Sequence, residues 1–262
     1  MSSVVFEERT AAHYDAHPFD ALTADDEANP EQVQPRPFVH FCRNFVTKHS
    51  RVAEIGCGPG RATMYLTSLG HEVSAVDISA SSLARARRRA AKATFVQASN
   101  LALPFADGSF DAVVSDGVIH HTPDAFSSLS ENARILRHGG HLYLAVYKHD
   151  RYYRHIYNLA GPPIRWLESR AAGRALLHAT AIPAYYAVHL VKSRGRRTWS
   201  GARSFFYDYI ITPRATFHSR EEIEAWGRKL GREPVHYDPS LGNVHAFVFV
   251  KSRAAEDAEK WR

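Results

Sequence analysis

The sequence predicts an α/β protein built on a doubly wound parallel sheet, and three observations carry that prediction. An apolar run, Val52 to Ile55, ends in glycines at 56, 58 and 60 and gives way to a helix-forming segment, so it reads as strand, loop, helix. A second apolar strand, His71 to Asp77, ends in an acid seventeen residues past Gly60. Strand and helix patterns then alternate through residue 148, the order that lays parallel strands side by side with helices on both faces.

The glycines remove the Cβ atoms that would hold a ligand off the backbone, and they tolerate positive φ where the chain turns sharply. A carboxylate at the end of the second strand can accept two hydrogen bonds from a ribose diol, which makes the unit a nucleoside binder. Dinucleotide folds space their glycines G-x-G-x-x-G and seat a pyrophosphate on the helix N-terminus. Here the spacing is G-x-G-x-G with Glu54 just upstream, which disfavours a pyrophosphate and favours a cationic amino-acid moiety. In the stretch Glu54-Ile-Gly-Cys-Gly-Pro-Gly60 the chain resembles the class I S-adenosylmethionine (SAM) dependent methyltransferases. That resemblance implies a Rossmann-like seven-stranded sheet and SAM as cofactor, bound by Glu54, Gly56, Cys57, Gly58, Gly60, Asp77 and Ile78. Cys57 serves there as a small side chain and not as a nucleophile.

Ahead of this unit, residues 1–37 form an acidic arm containing Tyr14-Asp-Ala-His-Pro-Phe-Asp20. In similar methyltransferases a Tyr-bearing N-terminal helix folds over the cofactor, which makes Tyr14 a catalytic candidate and His17 a substrate-side one. An arm that merely packs on the sheet is the alternative. Phe38 to His49 has the apolar spacing of a buried helical stripe, and the core is expected over residues 38–149. Arg61 to Leu69 is a helix stopped by Gly70, and Ser79 caps a second helix to Ala91. The bases Arg85, Arg87, Arg88, Arg89 and Lys92 suit the dipole at that helix's C-terminal end.

After a third strand, Ala93 to Ala98, the pattern Leu103-Pro-Phe then Asp107-Gly-Ser-Phe-Asp111 leads into a fourth, Ala112 to Ser115. This stretch is similar to the type-11 family within the class I methyltransferases. The resemblance implies an adenine contact near position 99, where Ser99, Asn100 and Leu101 stand, and a methionine arm lined by Ser115, Asp116 and Gly117. It also brings His120 to face the transferable methyl group, as a general base or as a pocket-shaping residue, with His121 beside it on the acceptor side. Asp124 to Leu136 reads as a helix, Arg137 to His141 as a tight turn, and Leu142 to Lys148 as the fifth strand.

A helical insertion follows the fifth strand over residues 150–206. Between Lys148 and Arg203 eleven Lys or Arg stand against Asp150 and Glu168, leaving the rest of the chain slightly acidic. So local a block suits an anionic partner, whether a phosphorylated or carboxylated substrate, a membrane surface or RNA, unless it is only a solvated helix face. The bases sit in no recognisable RNA-binding fold, which points away from nucleic acid. Ala175 to Val191 runs without a charge, near the lower limit for spanning a bilayer, but Pro183 and two histidines favour helices that cap the site or lie at a membrane interface. Tyr147, Tyr207, Arg214 and His218 are the further substrate-side candidates, Arg214 as a fork for a carboxylate or phosphate. Ser219-Arg-Glu-Glu222 reads as a capping box, the last strand pair falls within the C-terminal core part 207–251, and the charged tail 252–262 is expected to fray.

The 262 residues, 45% of them hydrophobic, suffice for one sizeable α/β domain with an insertion. The N-terminus lacks the apolar centre of a signal peptide, so a cytoplasmic protein is expected. Two cysteines make no disulfide framework, and sixteen histidines show no close metal-ligand spacing, so no metal is expected. The function expected is SAM-dependent methyl transfer to an O, N or C nucleophile of a small or medium-sized metabolite. The rivals are a SAM-binding protein without transferase activity and a nicotinamide-dependent oxidoreductase, the latter disfavoured by the glycine spacing.

Overall fold

Winding reverses at the middle of a seven-stranded sheet, between its first and fourth strands, and that reversal positions the site. The computed structural model describes residues 3–20, 22–192 and 198–251; the tail expected to fray lies outside them. The strands are β1 (Arg51–Ile55), β2 (Glu72–Asp77), β3 (Thr94–Gln97), β4 (Phe110–Asp116), β5 (Leu136–Tyr147), β6 (Arg232–Asp238) and β7 (Val244–Lys251), in the order β3-β2-β1-β4-β5-β7-β6. The first five run parallel, and β7 lies antiparallel between β5 and β6. A crevice therefore opens beyond the C-terminal ends of β1 and β4, the usual ligand position in such sheets.

Helices α1 (Ser3–Ala16) and α2 (Ala24–Ala28) belong to the N-terminal arm, followed by α3 (Arg36–Asn44), α4 (Arg61–Ser68), α5 (Ala80–Arg89) and α6 (Ala125–Ile135). Side chains alternate across the sheet, as the period of two requires. Val52 of β1 joins Phe38, Phe41, Leu66 and Leu83 on one face, while Ala53 and Ile55 join Leu129, Phe247 and Phe249 on the other. The expected cap forms at Ser79, whose Oγ accepts the Ser82 amide at 3.0 Å, and Asp124 Oδ1 likewise accepts the Ser127 amide at 3.0 Å. Two local readings need correction. The turn expected at Arg137 to His141 is a bulge inside β5, because Leu136 already pairs with Phe110 before His141 pairs with Ala112. The capping box is half made. Ser219 accepts the Glu222 amide at 3.2 Å, but the Glu222 carboxylate turns to His218 Nδ1 at 3.1 Å.

Between β5 and the last helix the insertion comprises α7 (Tyr152–His155), α8 (Gly161–Glu168), α9 (Ala171–Ala179), α10 (Ala181–Lys192) and α11 (Trp199–Phe206), before α12 (Arg220–Lys229). A π-helical turn, Ile156–Ala160, joins α7 to α8. Pro162 and Pro163 have no amide hydrogen and crowd the carbonyls before them, so the helix widens there. A second π turn, Tyr207–Ile211, extends α11 and ends at Thr212, which Pro213 drives into extended backbone. The charge-free run 175–191 is two helices broken at Thr180, three residues before Pro183. Among the described residues no helix is long and apolar enough to cross a membrane.

Candidate functional site

A cavity of about 580 Å³ lies over the C-terminal ends of β1, β2, β4 and β5 and under α1. The glycine loop forms its floor. At Gly58 φ is +52° and a Cβ would meet nothing within 4 Å, so the position is an open cradle for a ligand. Gly60 serves packing instead. With φ at +94° it starts α4, and a Cβ there would press on Ala86 at 3.0 Å, so its bareness seats α4 against α5.

Asp77 closes β2 with one oxygen on the Gly58 amide at 2.7 Å and the other on the Ser79 amide at 2.8 Å. Burial pushes its carboxyl above the ordinary range while these amides pull the other way. A carboxylate so held still has lone pairs for a diol. Asn100 lines the cavity, is buried, and has neither amide atom partnered, whereas Ser99 turns its hydroxyl to Glu7 and to the Leu101 amide. Glu54 is buried against Thr63 Oγ1, which donates to it at 2.6 Å, and burial raises its carboxyl to about 8. Asp116 pairs with Arg61 at the start of α4, and Arg61 is held in turn by Gln34. Gly56, Cys57, Ile78 and Gly117 complete this end of the lining.

The other end is aromatic and centred on an acid. Asp208, on the second π turn, accepts the Tyr14 hydroxyl at 3.1 Å on one oxygen and the Tyr147 hydroxyl at 3.2 Å on the other. His121 Nδ1 faces the Arg214 carbonyl at 2.7 Å, so it carries the hydrogen and leaves Nε2 toward Asp208 at 3.9 Å. The His120 ring lies 3.8 Å from that of Tyr147, is buried, and has neither nitrogen partnered; burial and neighbouring histidines hold it well below the ordinary histidine value. It is a neutral imidazole at pH 7, and a weak base.

The cavity wall is acidic, with Glu7, Asp26, Glu54, Asp77, Asp116 and Asp208 against one guanidinium, Arg61, and two histidines. Polar clasps hold the arm above it: Asp15 accepts the Ser79 hydroxyl at 2.6 Å and the Ser81 amide at 3.0 Å, and Asp20 pairs with Arg85 and Arg89.

Several candidates do not reach the cavity. Gly60 packs on α5; Ser99 and the Leu101 amide bond each other; Ser115 is buried in the sheet, one residue short of the lining Asp116. His17 stacks on Tyr207 at 3.8 Å beside a second hollow, and Tyr207 bonds His178 there at 3.0 Å. Arg214 lays its guanidinium over Phe6, and only its carbonyl serves the site. His218 is tied to Thr216 at 2.8 Å and to Glu222, at the foot of α12. Arg61 and Asp208 are among the lining residues that escaped the sequence reading. Arg61 directly follows the glycine motif, and Asp208 lies between Tyr207 and Tyr209, where a lone acid in an aromatic run was the available signal. Among the described residues no group of three His, Cys, Asp or Glu is set to hold a metal ion.

The buried unpaired Asn100, the open Gly58 cradle and the acidic wall fit SAM, and the sheet order with this crevice is that of the Rossmann-like fold shared by class I SAM-dependent methyltransferases. Residues 53–144 match the family described as a methyltransferase domain, the type-11 group within that class. The malonyl-[acyl-carrier protein] O-methyltransferase of Enterobacter lignolyticus is 40% identical over 93 residues, 36% of this chain and 37% of that protein. The demethylmenaquinone methyltransferase of Beutenbergia cavernae is 36% identical over 97 residues, 37% of this chain and 40% of that one. The match thus spans well under half the length of these relatives. The 1,6-didemethyltoxoflavin-N1-methyltransferase of Burkholderia thailandensis, solved with 1,6-didemethyltoxoflavin and S-adenosylhomocysteine, superposes with a TM-score of 0.55 at 18% identity over 95% of this chain and 88% of that one. That likeness is one of fold.

Proposed function

We propose that the chain transfers a methyl group from SAM to a small or medium-sized metabolite, at an O, N or C nucleophile. The observation that carries this reading is the acidic cavity joining the Asp77 and Asn100 end to the Asp208, Tyr14 and Tyr147 end. SAM supplies a methyl on a sulfonium that is its own leaving group, so the protein's part is orientation and charge placement. In this reading Asp77 takes the ribose hydroxyls and Asn100 the adenine edge. Arg61 takes the amino-acid carboxylate, and the remaining acids favour the net positive ligand.

Asp208 orients the acceptor through an O–H or N–H and receives its proton, with Tyr14 and Tyr147 fixing the carboxylate. His120, neutral and desolvated, shapes the pocket beside the methyl. Residues 1–37 act as a lid. The insertion's last turn contributes the acceptor wall. An acid at that wall favours a neutral or cationic acceptor over the anionic one that the basic block suggests. Incubation with methyl-labelled SAM and a panel of metabolites, scored by mass spectrometry, tests the proposal. SAM binding with no product from any acceptor class would overturn the transferase reading, and failure to bind SAM would overturn the cofactor assignment too.

A further inference from the structure

The insertion's outer surface is unlike the rest of the protein. Of the twelve exposed large hydrophobic side chains among the described residues, eight lie between Tyr152 and Trp199. On the continuous helix 152–168 they form a stripe: Tyr152, Ile156, Leu159 and Trp166 recur at spacings of four, three and seven, with Leu159 76% exposed. The opposite face is the one that holds the helix to the protein. Tyr153 donates to the Tyr209 carbonyl at 2.6 Å, Tyr157 to the Thr212 carbonyl at 2.9 Å, and Arg165 to the Ile210 carbonyl at 2.9 Å. The outer stripe therefore has no part in anchoring the helix. On α10 the exposed side chains Ala184, Ala187, Val188 and Val191 continue the same character, with Val191 79% exposed.

Charge accompanies this apolar surface. Arg151, Arg154, Arg170 and Arg174 stand against one acid in the stretch 151–174, Glu168, which Arg174 already pairs at 2.9 Å. Arg170 lies 3.6 Å over the Trp166 ring, so a base and an interfacial aromatic share one place. Exposed apolar stripes bordered by arginines, with Trp and Tyr among them, are what helices lying in a membrane interface display.

We propose that this outer face docks the protein peripherally on an anionic phospholipid surface, with the two stripes in the interface and the arginines at the headgroups. A second copy of the chain is the poorer occupant, because a two-fold interface sets a patch against itself and would bring the arginine block against its own image. The docking is independent of the methyl transfer proposed above.

Flotation with vesicles tests it, using phosphatidylcholine alone and mixed with phosphatidylglycerol, at low and high salt. The protein is expected to float with the mixed vesicles at low salt and to be released by salt, which screens headgroup attraction. A triple variant, Leu159→Ser with Trp166→Ser and Val188→Ser, should lose at least about tenfold in partitioning. Arg151→Gln with Arg154→Gln should lose about fivefold for each arginine. Unchanged SAM titration and circular dichroism will separate loss of docking from loss of folding. Should a variant unfold, quenching of tryptophan emission by brominated lipid in the unaltered chain gives the same answer. Absence of binding or of quenching, equal binding to phosphatidylcholine alone, or a triple variant that floats like the parent would each overturn the proposal. So would self-association abolished by the triple variant in a protein that ignores vesicles.

Discussion

The cavity wall and the outer face of the insertion are chemical opposites held by the same turn of chain. Tyr153 and Tyr157 fasten the helix with the arginine-bordered stripe to carbonyls of Tyr209 and Thr212, while Asp208 of that turn faces the acidic cavity. A formal net charge of +6 thus describes the outside and misdescribes the site. An anionic substrate was one of the partners the basic block suggested, yet none of its described bases lines the cavity.

Replacing Asp208 by Asn should break the contrast most. Turnover should fall about a hundredfold or more, as for loss of a proton acceptor, with SAM affinity kept within a few fold. Turnover kept within a few fold would move the acceptor away from that carboxylate. Next in size, Asp77→Ala should weaken SAM binding by roughly 1.5 to 3 kcal/mol, about ten to a hundredfold, since a charge-assisted partner of the ribose is lost. Calorimetry reads it directly, and an unchanged dissociation constant would detach that strand end from the cofactor.

Glu54 gives a pH signature. Its buried carboxyl titrates near 8 in the free protein against an ordinary 4.5, so the folded state holds the proton more tightly. Stability from this group is therefore intact below about 4.5 and declines as pH rises toward 8, at up to about 1.4 kcal/mol per unit. A cationic ligand favours the ionised form, so SAM affinity should rise with pH, approaching tenfold per unit, until about 8. Glu54→Gln should flatten both profiles in thermal melts and titrations. The smallest effect belongs to Arg214→Lys, which should change KM and kcat by no more than about twofold, as at other surface positions, since the carbonyl serving His121 remains. A large rise in KM would return the guanidinium to the acceptor.

The central sheet was legible in the sequence because local chemistry dictates it. Alternate glycines after an apolar run, an acid closing the next strand, and the cap at Ser79 all act over a few residues. At the glycine-loop end the same local signals named Gly56, Gly58, Asp77 and Asn100, which line the cavity, but they missed Arg61 and left open Ser99 against Asn100, which turns on Glu7 from a distant helix. At the aromatic end the sequence named Tyr14, His120, His121 and Tyr147 but not the acid among them. That end is made where Tyr14, Tyr147 and Asp208 meet from segments up to 194 residues apart, and the π turn that presents Asp208 depends on Pro213 and on the helix packed behind it. Tyr207 and Arg214 flank the right acid but point elsewhere, because a run of aromatics does not disclose which side chain a widened turn will face inward.

The clasps over the cavity set a time scale as well as a shape. Among its described side chains helix α1 buries only Thr10, and Val4 and Val5 stay exposed. The arm is kept down by these ion pairs and hydrogen bonds and by ring contacts of His17 with Tyr207 at 3.8 Å and Phe19 with Phe205 at 4.8 Å, contacts with α5 and the insertion and not with the strands. It can therefore lift without disturbing the sheet. If the arm is the lid proposed above, loss of the sulfonium charge on methyl transfer would leave a product less attracted to the acidic wall at the moment the arm has to open. In that reading, if departure of the spent ligand limits turnover, turnover should rise with salt as the Asp20 pairs with Arg85 and Arg89 weaken, and a turnover that ignores salt would place the limit at the chemical step.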